Sequence, residues 1–286
     1  NIYKSVAIIC TIFLIIQYIA STFWGIYIPG QFGPFALTDI KQQVENYNIY
    51  AKYNLFRPDS FFSEPAHYAI FVSGFIAVCS LQETNKKNIA IMLFCSLGIL
   101  ISGSTTGLVM TVFVWICWIF RLLKNKRKVK YLIPILALAM FALVVVSKTD
   151  SFQLMIQRTF NSKDAMSSRF DWIETLDVLK TPIEWLYGLG NSSDVIHLTG
   201  WIPGWPIIFI SYGIFGFFLY VLSYVVLFCH ADKKGKFILI YIIIMGIGTE
   251  VVADMHVLVL LPFVINNTKI GPGIIAFSKE KLNINY

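Results

Sequence analysis

Arg57-Pro58-Asp59-Ser60-Phe61-Phe62-Ser63-Glu64-Pro65-Ala66-His67 lies between two hydrophobic runs, directly before the apolar run that begins at Tyr68. It puts an arginine, a glutamate and a histidine within eleven residues. Charged groups at the mouth of a membrane span are costly unless they are solvated, paired or used. Pro58 and Pro65 restrict the backbone on either side of the acidic turn, and Pro65 suits the first turn of a helix. Read locally, the stretch is a helix start, with Ser63 as its cap and Glu64 near the positive end of the helix dipole. Whether it is more than that depends on what surrounds it.

The surroundings are those of an integral membrane protein. The chain is 57% hydrophobic and only 14% charged, against roughly 45–50% and about 25% in soluble domains. Apolar segments run at about 5–28, 66–81, 89–102, 105–120, 131–147, 204–229, 237–249 and 252–265. The first and the 204–229 run are long enough to be full spans. Several others fall short of the ~20 residues a perpendicular helix needs, which points to broken or re-entrant helices. The 237–266 region reads as two short helices turning near Glu250 and Asp254, because one long helix would bury Glu250, Asp254 and His256 at mid-depth. The chain begins at Asn1, already close to an apolar run, so further N-terminal helices are expected to precede it. Lys4 to Trp24 lacks the small-residue cleavage pattern of a signal peptide.

The net charge of +7 would suggest nucleic acid in a soluble protein, but its distribution argues otherwise. With the N-terminus cytoplasmic and every segment crossing, the cytoplasmic parts hold fifteen of the 23 basic residues and three acids. The Lys124-Asn125-Lys126-Arg127-Lys128 loop is the clearest of these positive-inside signals. Two outer loops are then long, about 29–64 and 148–203, and the mass of the protein outside the spans faces outward. We read residues 1–286 as a single polytopic membrane domain working on its outer face. Cys10, Cys79, Cys95, Cys117 and Cys229 fall inside or at the ends of apolar runs without metal-ligand spacing and read as small core residues.

Arg57 offers an always-charged fork of donors that matches phosphate oxygens. In the second outer loop, Trp172, Leu176 and Leu179 lie at i, i+4 and i+7. This predicts an amphipathic helix capped near Ser167 or Ser168, stopped by Pro182 and able to lie in the membrane interface. Arg169 falls in its first turn, where backbone N–H groups already favour an anion. Tyr187-Gly188-Leu189-Gly190 permits a tight turn or close backbone approach, and His197 beyond it is a candidate general base or phosphate donor. Ser102-Gly103-Ser104-Thr105-Thr106-Gly107 reads as a tight outer turn packed closely on neighbouring helices. Trp172, Trp185, Trp201 and Trp205 cluster on the outer side, where an interfacial belt and sugar stacking both want them.

Four stretches together resemble the Wzy-type O-antigen and capsular polysaccharide polymerases, relatives of the O-antigen ligases. They are Arg57 to His67; Ser102 to Gly107 with the apolar helix and basic loop after it; Ser168-Arg169…Trp172…Gly188-Leu189-Gly190; and His197…Tyr212-Gly213-Ile214-Phe215-Gly216. Each alone is loose, and their order along residues 55 to 265 carries the resemblance. It implies an all-α, multi-pass, glycosyltransferase-C-like membrane fold in the bacterial cytoplasmic membrane, acting outward on undecaprenyl-diphosphate-linked glycan. Members usually have more spans than the eight counted here, consistent with missing N-terminal helices. Carried over, Arg57 and Arg169 hold the diphosphate, with Arg158 the alternative to Arg169. Glu64 or His197 takes the proton of the attacking sugar hydroxyl, and His67, Gly188, Gly190 and Trp172 support the site. No cofactor, metal or nucleic acid is implied. Membrane lipids, a chain-length regulator and a flippase are the expected partners. A ligase of the same fold is the nearest rival reading. A transporter or flippase is less favoured because the charges lie mostly in outer loops rather than inside spans.

Overall fold

The computed structural model describes residues 2–30, 56–82, 85–123, 153, 171–190, 203–249 and 255–265, with the backbone alone for 171–174, 248 and 255–258. The described residues are helical, without a β-strand. The chain divides into two compact units, residues 1–163 and 164–286.

In the first unit, α1 (Ile2–Trp24), α2 (Pro65–Ser80), α3 (Lys86–Ser102) and α4 (Thr105–Leu123) pack around α2. α2 is buried almost all round, from Tyr68 to Ile70 and from Val72 to Ser80. The outer helices are two-faced. α1 buries Ala7, Cys10, Thr11, Leu14, Gln17 and Ala20, a stripe at helical spacing, and exposes Ile9, Ile12, Ile16 and Ile19. α4 likewise buries Gly107, Met110, Thr111, Val114, Trp118 and Leu122 and exposes Val109, Val112, Ile116 and Phe120. Here the exposed face is the more apolar one and the polar side chains point inward. That is the pattern of helices with hydrocarbon around them rather than water.

Small residues set the spacing. A Cβ on Gly107 would collide with the Cβ of Ala69, and one on Gly98 would collide with the Tyr68 hydroxyl. The helices therefore approach at distances only glycine permits, where dispersion contacts do the work that hydrophobic burial does in water. Arg121 donates to the Ser80 carbonyl at 2.8 Å, and the Tyr3 hydroxyl donates to the Phe71 carbonyl at 2.6 Å. α1 and α3 thus start, and α2 and α4 end, at one end of the unit, which carries Lys4, Lys86, Lys87 and Arg121. The 102–105 turn lies at the opposite end.

In the second unit, a 3₁₀ helix (Asp171–Val178) and α5 (Pro182–Tyr187) lead to α6 (Gly204–His230), α7 (Lys233–Gly248) and α8 (Met255–Ile265). α7 and α8 pack on each other, as expected of two short helices rather than one long one. Among the described residues three helices, α1, α4 and α6, are long and apolar enough to cross a membrane. α6 reaches that length only across a break, because Gly213 has non-helical φ 64° and ψ −169°. In a straight helix Trp205 and Tyr224 would stand about 28 Å apart, yet their ring centroids are 5.9 Å apart. The two arms fold back on each other, so the 204–229 run is not the single straight span its hydropathy suggested.

The remaining segments follow the sequence reading closely: α1 ends at Trp24 rather than 28, and the 131–147 run lies outside the described residues. Gly107→Ala is expected to lower stability by about 1–3 kcal/mol, as overpacking does. Ala69→Gly in the same chain should restore most of it. Thermal unfolding midpoints in detergent check both.

Candidate functional site

The stretch from Arg57 to His67 does not lie over the helix ends as a solvated loop. It dips along α1. The Ser60 hydroxyl donates to the Cys10 carbonyl at 2.8 Å, Phe61 stacks on Phe13 with centroids 4.2 Å apart and planes 7° from parallel, and the Tyr68 hydroxyl donates to Thr11 Oγ1 at 3.0 Å. Cys10 lies fourteen residues before the end of α1, so the turn descends roughly 20 Å alongside it. This explains why α2 has only 16 residues: it starts below the level at which α1 ends.

Gln17, 1% exposed, holds the turn in place. Its Oε1 accepts from the Ser60 N–H at 2.8 Å. Its Nε2 lies 3.0 Å from the Ile28 carbonyl, 3.3 Å from the Ser60 carbonyl and 3.5 Å from Asp59 Oδ1. Ser60 itself has φ +60°, a left-handed conformation that costs a non-glycine residue on the order of 1–2 kcal/mol. Bonds to its N–H, carbonyl and hydroxyl over-determine that conformation. Strain maintained in this way points to a functional segment. Gly30 closes over the turn, and a side chain there would run into the Ser60 carbonyl.

At the mouth of this dip Arg57, exposed, donates from Nη1 to the Gly103 carbonyl at 3.2 Å. Gly103 caps α3 with φ 63°, and a Cβ there would stand 3.2 Å from Arg57 Cδ. Two of the stretches singled out in the sequence, 57–67 and 102–107, are therefore brought together, and the glycine turn serves as the seat of the arginine. Glu64 is the cap residue of α2, but its side chain makes no capping bond. Ser63, expected as the cap, instead bonds His67 Nδ1 at 2.8 Å. Pro65, the first helical residue, has a φ already suited to the helix, and the His67 and Tyr68 N–H groups donate to the Glu64 carbonyl. Glu64 is exposed, at the positive end of the helix.

The other two stretches also meet. Leu189 N–H donates to the Ile210 carbonyl and Gly190 N–H to the Ser211 carbonyl, both at 2.9 Å. These are carbonyls that the break at Gly213 frees from their own helix. Gly188 (φ 78°) and Gly213 (φ 64°) each lie so close to the other strand's backbone that a Cβ on either would collide with it. The Gly-Leu-Gly turn thus completes the broken helix, as irregular backbone at membrane depth requires. Its approach is fixed by α5, whose capping box pairs Thr181 with Glu184. The Thr181 and Lys180 N–H groups donate to the Glu184 carboxylate, and that holds its pKa below the usual value.

The helix expected to run to Pro182 ends short of it and is more tightly wound where it is described, its expected start lying outside the described residues. A 3₁₀ helix spans Asp171–Val178, and Pro182 begins α5 instead of stopping its predecessor. Leu176 and Leu179 pack against Ile207, Phe209 and Ile210 of α6, so this apolar face is covered by protein and not by the membrane interface. Trp185 donates to the Leu179 carbonyl at 3.0 Å, and Trp205 donates to Ile243 and packs on Phe217, Tyr220 and Tyr224. Both indoles are used within the fold. Arg158, Ser167, Ser168, Arg169, His197 and Trp201 lie outside the described residues, as does the side chain of Trp172. Sequence reasoning passed over Gln17 and left Asp59 without a role. A lone amide on the inward stripe of an apolar helix was the available signal for the first.

Taken together, the helical, apolar architecture of the described residues defines a helical membrane protein. The model of the WcaD colanic acid polymerase family matches residues 2–231, and the chain belongs to that family, one of polysaccharide polymerases. Neither the curated proteins nor the solved structures returned a match. The match bears out the resemblance to Wzy-type polymerases read from the four stretches.

Gly190 has φ 98° with open space where a Cβ would go, whereas Gly188 has none. Gly190→Ala should therefore cost only backbone strain of about 1–2 kcal/mol, and Gly188→Ala considerably more. Thermal unfolding of the two variants in detergent should rank them in that order.

Proposed function

We propose that this protein joins oligosaccharide repeat units, carried on a polyprenyl diphosphate, into a surface polysaccharide at the outer face of the bacterial cytoplasmic membrane. The observation that carries this reading is the Arg57 guanidinium seated on the Gly103 turn. It stands at the end of its unit opposite Lys4, Lys86, Lys87 and Arg121, in a chain of the polymerase family. Positive charge at cytoplasmic helix ends is the usual topology signal, which supports an outward-facing Arg57 and a multi-pass arrangement.

In this reaction a hydroxyl on the terminal sugar of one lipid-linked unit attacks the anomeric carbon of another. The bond to the diphosphate breaks, and negative charge grows on the departing phosphate oxygens. A fixed guanidinium aimed at that charge is the kind of preorganised group that contributes most to such a step. Its fork matches two phosphate oxygens at once. We assign Arg57 and Arg169, or Arg158 in place of Arg169, to the diphosphate. Glu64 and His197 are the proton acceptors suggested by the sequence, with His67, Trp172 and the Gly188–Gly190 turn in support. The reading requires no metal, since guanidinium groups neutralise the leaving group. A chain-length regulator and a flippase are the protein partners that such a reaction calls for, before and after it.

The test is the glycan ladder of a deletion strain complemented with variants matched for membrane abundance. The deletion should leave single repeat units on the carrier. Arg57→Ala should lower polymer yield on the order of 10²–10³-fold, the loss typical of a charge-stabilising donor. Arg57→Lys, which keeps the charge without the fork, should recover only part of it. Long polymer stranded on its lipid in the deletion strain would instead identify a ligase, and full ladders from the Arg57 variants would remove Arg57 from the site.

A further inference from the structure

We propose that Asp59 is the proton acceptor for the attacking sugar hydroxyl, a role that rests on the polymerase reading above. Asp59 lies two residues from Arg57, in the strained turn that descends along α1. Its carboxyl lies beside the Gln17 amide and Gly30, with the Tyr27 phenol near enough to feel its charge, and the residue keeps part of its surface open. Gly30 leaves room for it, since a Cβ there would come within 3.2 Å of Asp59 Oδ1. Among the described residues the uncharged Gln17 amide faces the carboxyl, 3.5 Å from Oδ1. The glutamine orients the carboxyl without neutralising it.

Burial raises the Asp59 pKa to about 7, against the smaller opposing pull of its own backbone N–H and of Gln17. The neighbouring Tyr27 phenol is pushed up to about 12, by burial first and by the Asp59 charge second. A carboxylate of that basicity is poised for proton transfer near neutral pH, where an ordinary exposed carboxylate is a much weaker base. Glu64, exposed at the start of α2, lacks such surroundings. The step balances simply. The hydroxyl proton passes to a carboxylate oxygen of Asp59 as the hydroxyl oxygen bonds to the anomeric carbon. The carbon–oxygen bond to the diphosphate breaks, and its electron pair leaves on the diphosphate facing Arg57. Asp59 then releases the proton to water.

Among the described residues, the other charged or titratable groups on the elements around Asp59 are Tyr27 on the 25–30 segment, Arg57 and Glu64 on its own stretch, His67, Tyr68 and Cys79 on α2, and Tyr3, Lys4, Cys10 and Tyr18 on α1. Histidine as a residue type titrates near neutrality, so the experiment must separate Asp59 from His67. The protein, purified in nanodiscs, is supplied with a synthetic polyprenyl-diphosphate-linked repeat unit, and turnover is followed against pH. Below about 7 Asp59 is protonated and cannot accept, so wild-type turnover should rise as pH passes through that value and level off above it.

Asp59→Asn copies the shape of the protonated acid. It should lower turnover on the order of 10²–10⁴-fold at every pH, with the donor KM nearly unchanged. Asp59→Glu should keep measurable turnover with a displaced rising limb, whereas His67→Gln should leave the limb in place. Wild-type turnover in a folded Asp59→Asn protein would overturn the proposal. If that variant fails to fold, a limb that stays put in Asp59→Glu, or moves in His67→Gln, overturns it equally. A wild-type protein that binds the lipid-linked unit and never extends it would sink the polymerase reading, and this assignment with it.

Discussion

A buried amide anchors the first unit. Gln17 lies on the inward stripe of an otherwise apolar helix and is 1% exposed, so its amide finds its partners within the protein. Its oxygen takes the Ser60 N–H and its nitrogen faces the Ser60 and Ile28 carbonyls. An unpaired amide at that depth would cost several kcal/mol, so the helix and the turn require each other. From this pairing follow the depth of the turn, the late start of α2 and the strained backbone of Ser60. The placement of Arg57 at the mouth follows as well, since Pro58 leaves its neighbours little freedom.

Glycine contacts carry the same logic through the packing. Gly107 lets α4 lie against Ala69, and Gly103 turns the chain under Arg57. Gly188 and Gly213 let two backbones touch where a broken helix has exposed its carbonyls. Each site joins a close approach to a backbone bond or a turn. At the last two of these sites polar groups are satisfied by neighbouring backbone, and glycine is what admits that backbone. The places where helices break are also the places where the polar stretches collect, which is how an apolar bundle acquires a chemical surface.

The polar segments were legible because each carries composition that a purely structural span does not need: an Arg-Pro-Asp turn, a Ser-Gly-Ser-Thr-Thr-Gly break, a Gly-Leu-Gly turn. Their pairing was not. Nothing in the spacing of Arg57 and Gly103 announces that one rests on the other. The cap of α2 was misplaced by one residue because Ser63 is the better capping side chain in isolation, yet its hydroxyl is engaged with His67 and the helix starts at Pro65. The second-loop helix was drawn too long because i, i+4 and i+7 spacing describes Trp172, Leu176 and Leu179 equally well when a 3₁₀ turn presses Leu176 and Leu179 onto α6. Asp59 passed unremarked because a carboxyl becomes a base of unusual strength through its surroundings, and those come from residues as distant as Gln17 and Gly30.

Hydropathy, charge asymmetry and the order of the four polar stretches were enough, on sequence alone, to establish an all-helical membrane protein of the polysaccharide polymerase kind. Those properties are sums over many residues, and summation is insensitive to exact placement. Only tertiary structure decided that the 204–230 run folds back at Gly213, that the first polar stretch descends beside α1, and that Arg57 sits on a glycine turn. Such features depend on single hydrogen bonds and on contacts a lone methyl group would forbid. A linear pattern does not encode those until the chain has brought distant residues together.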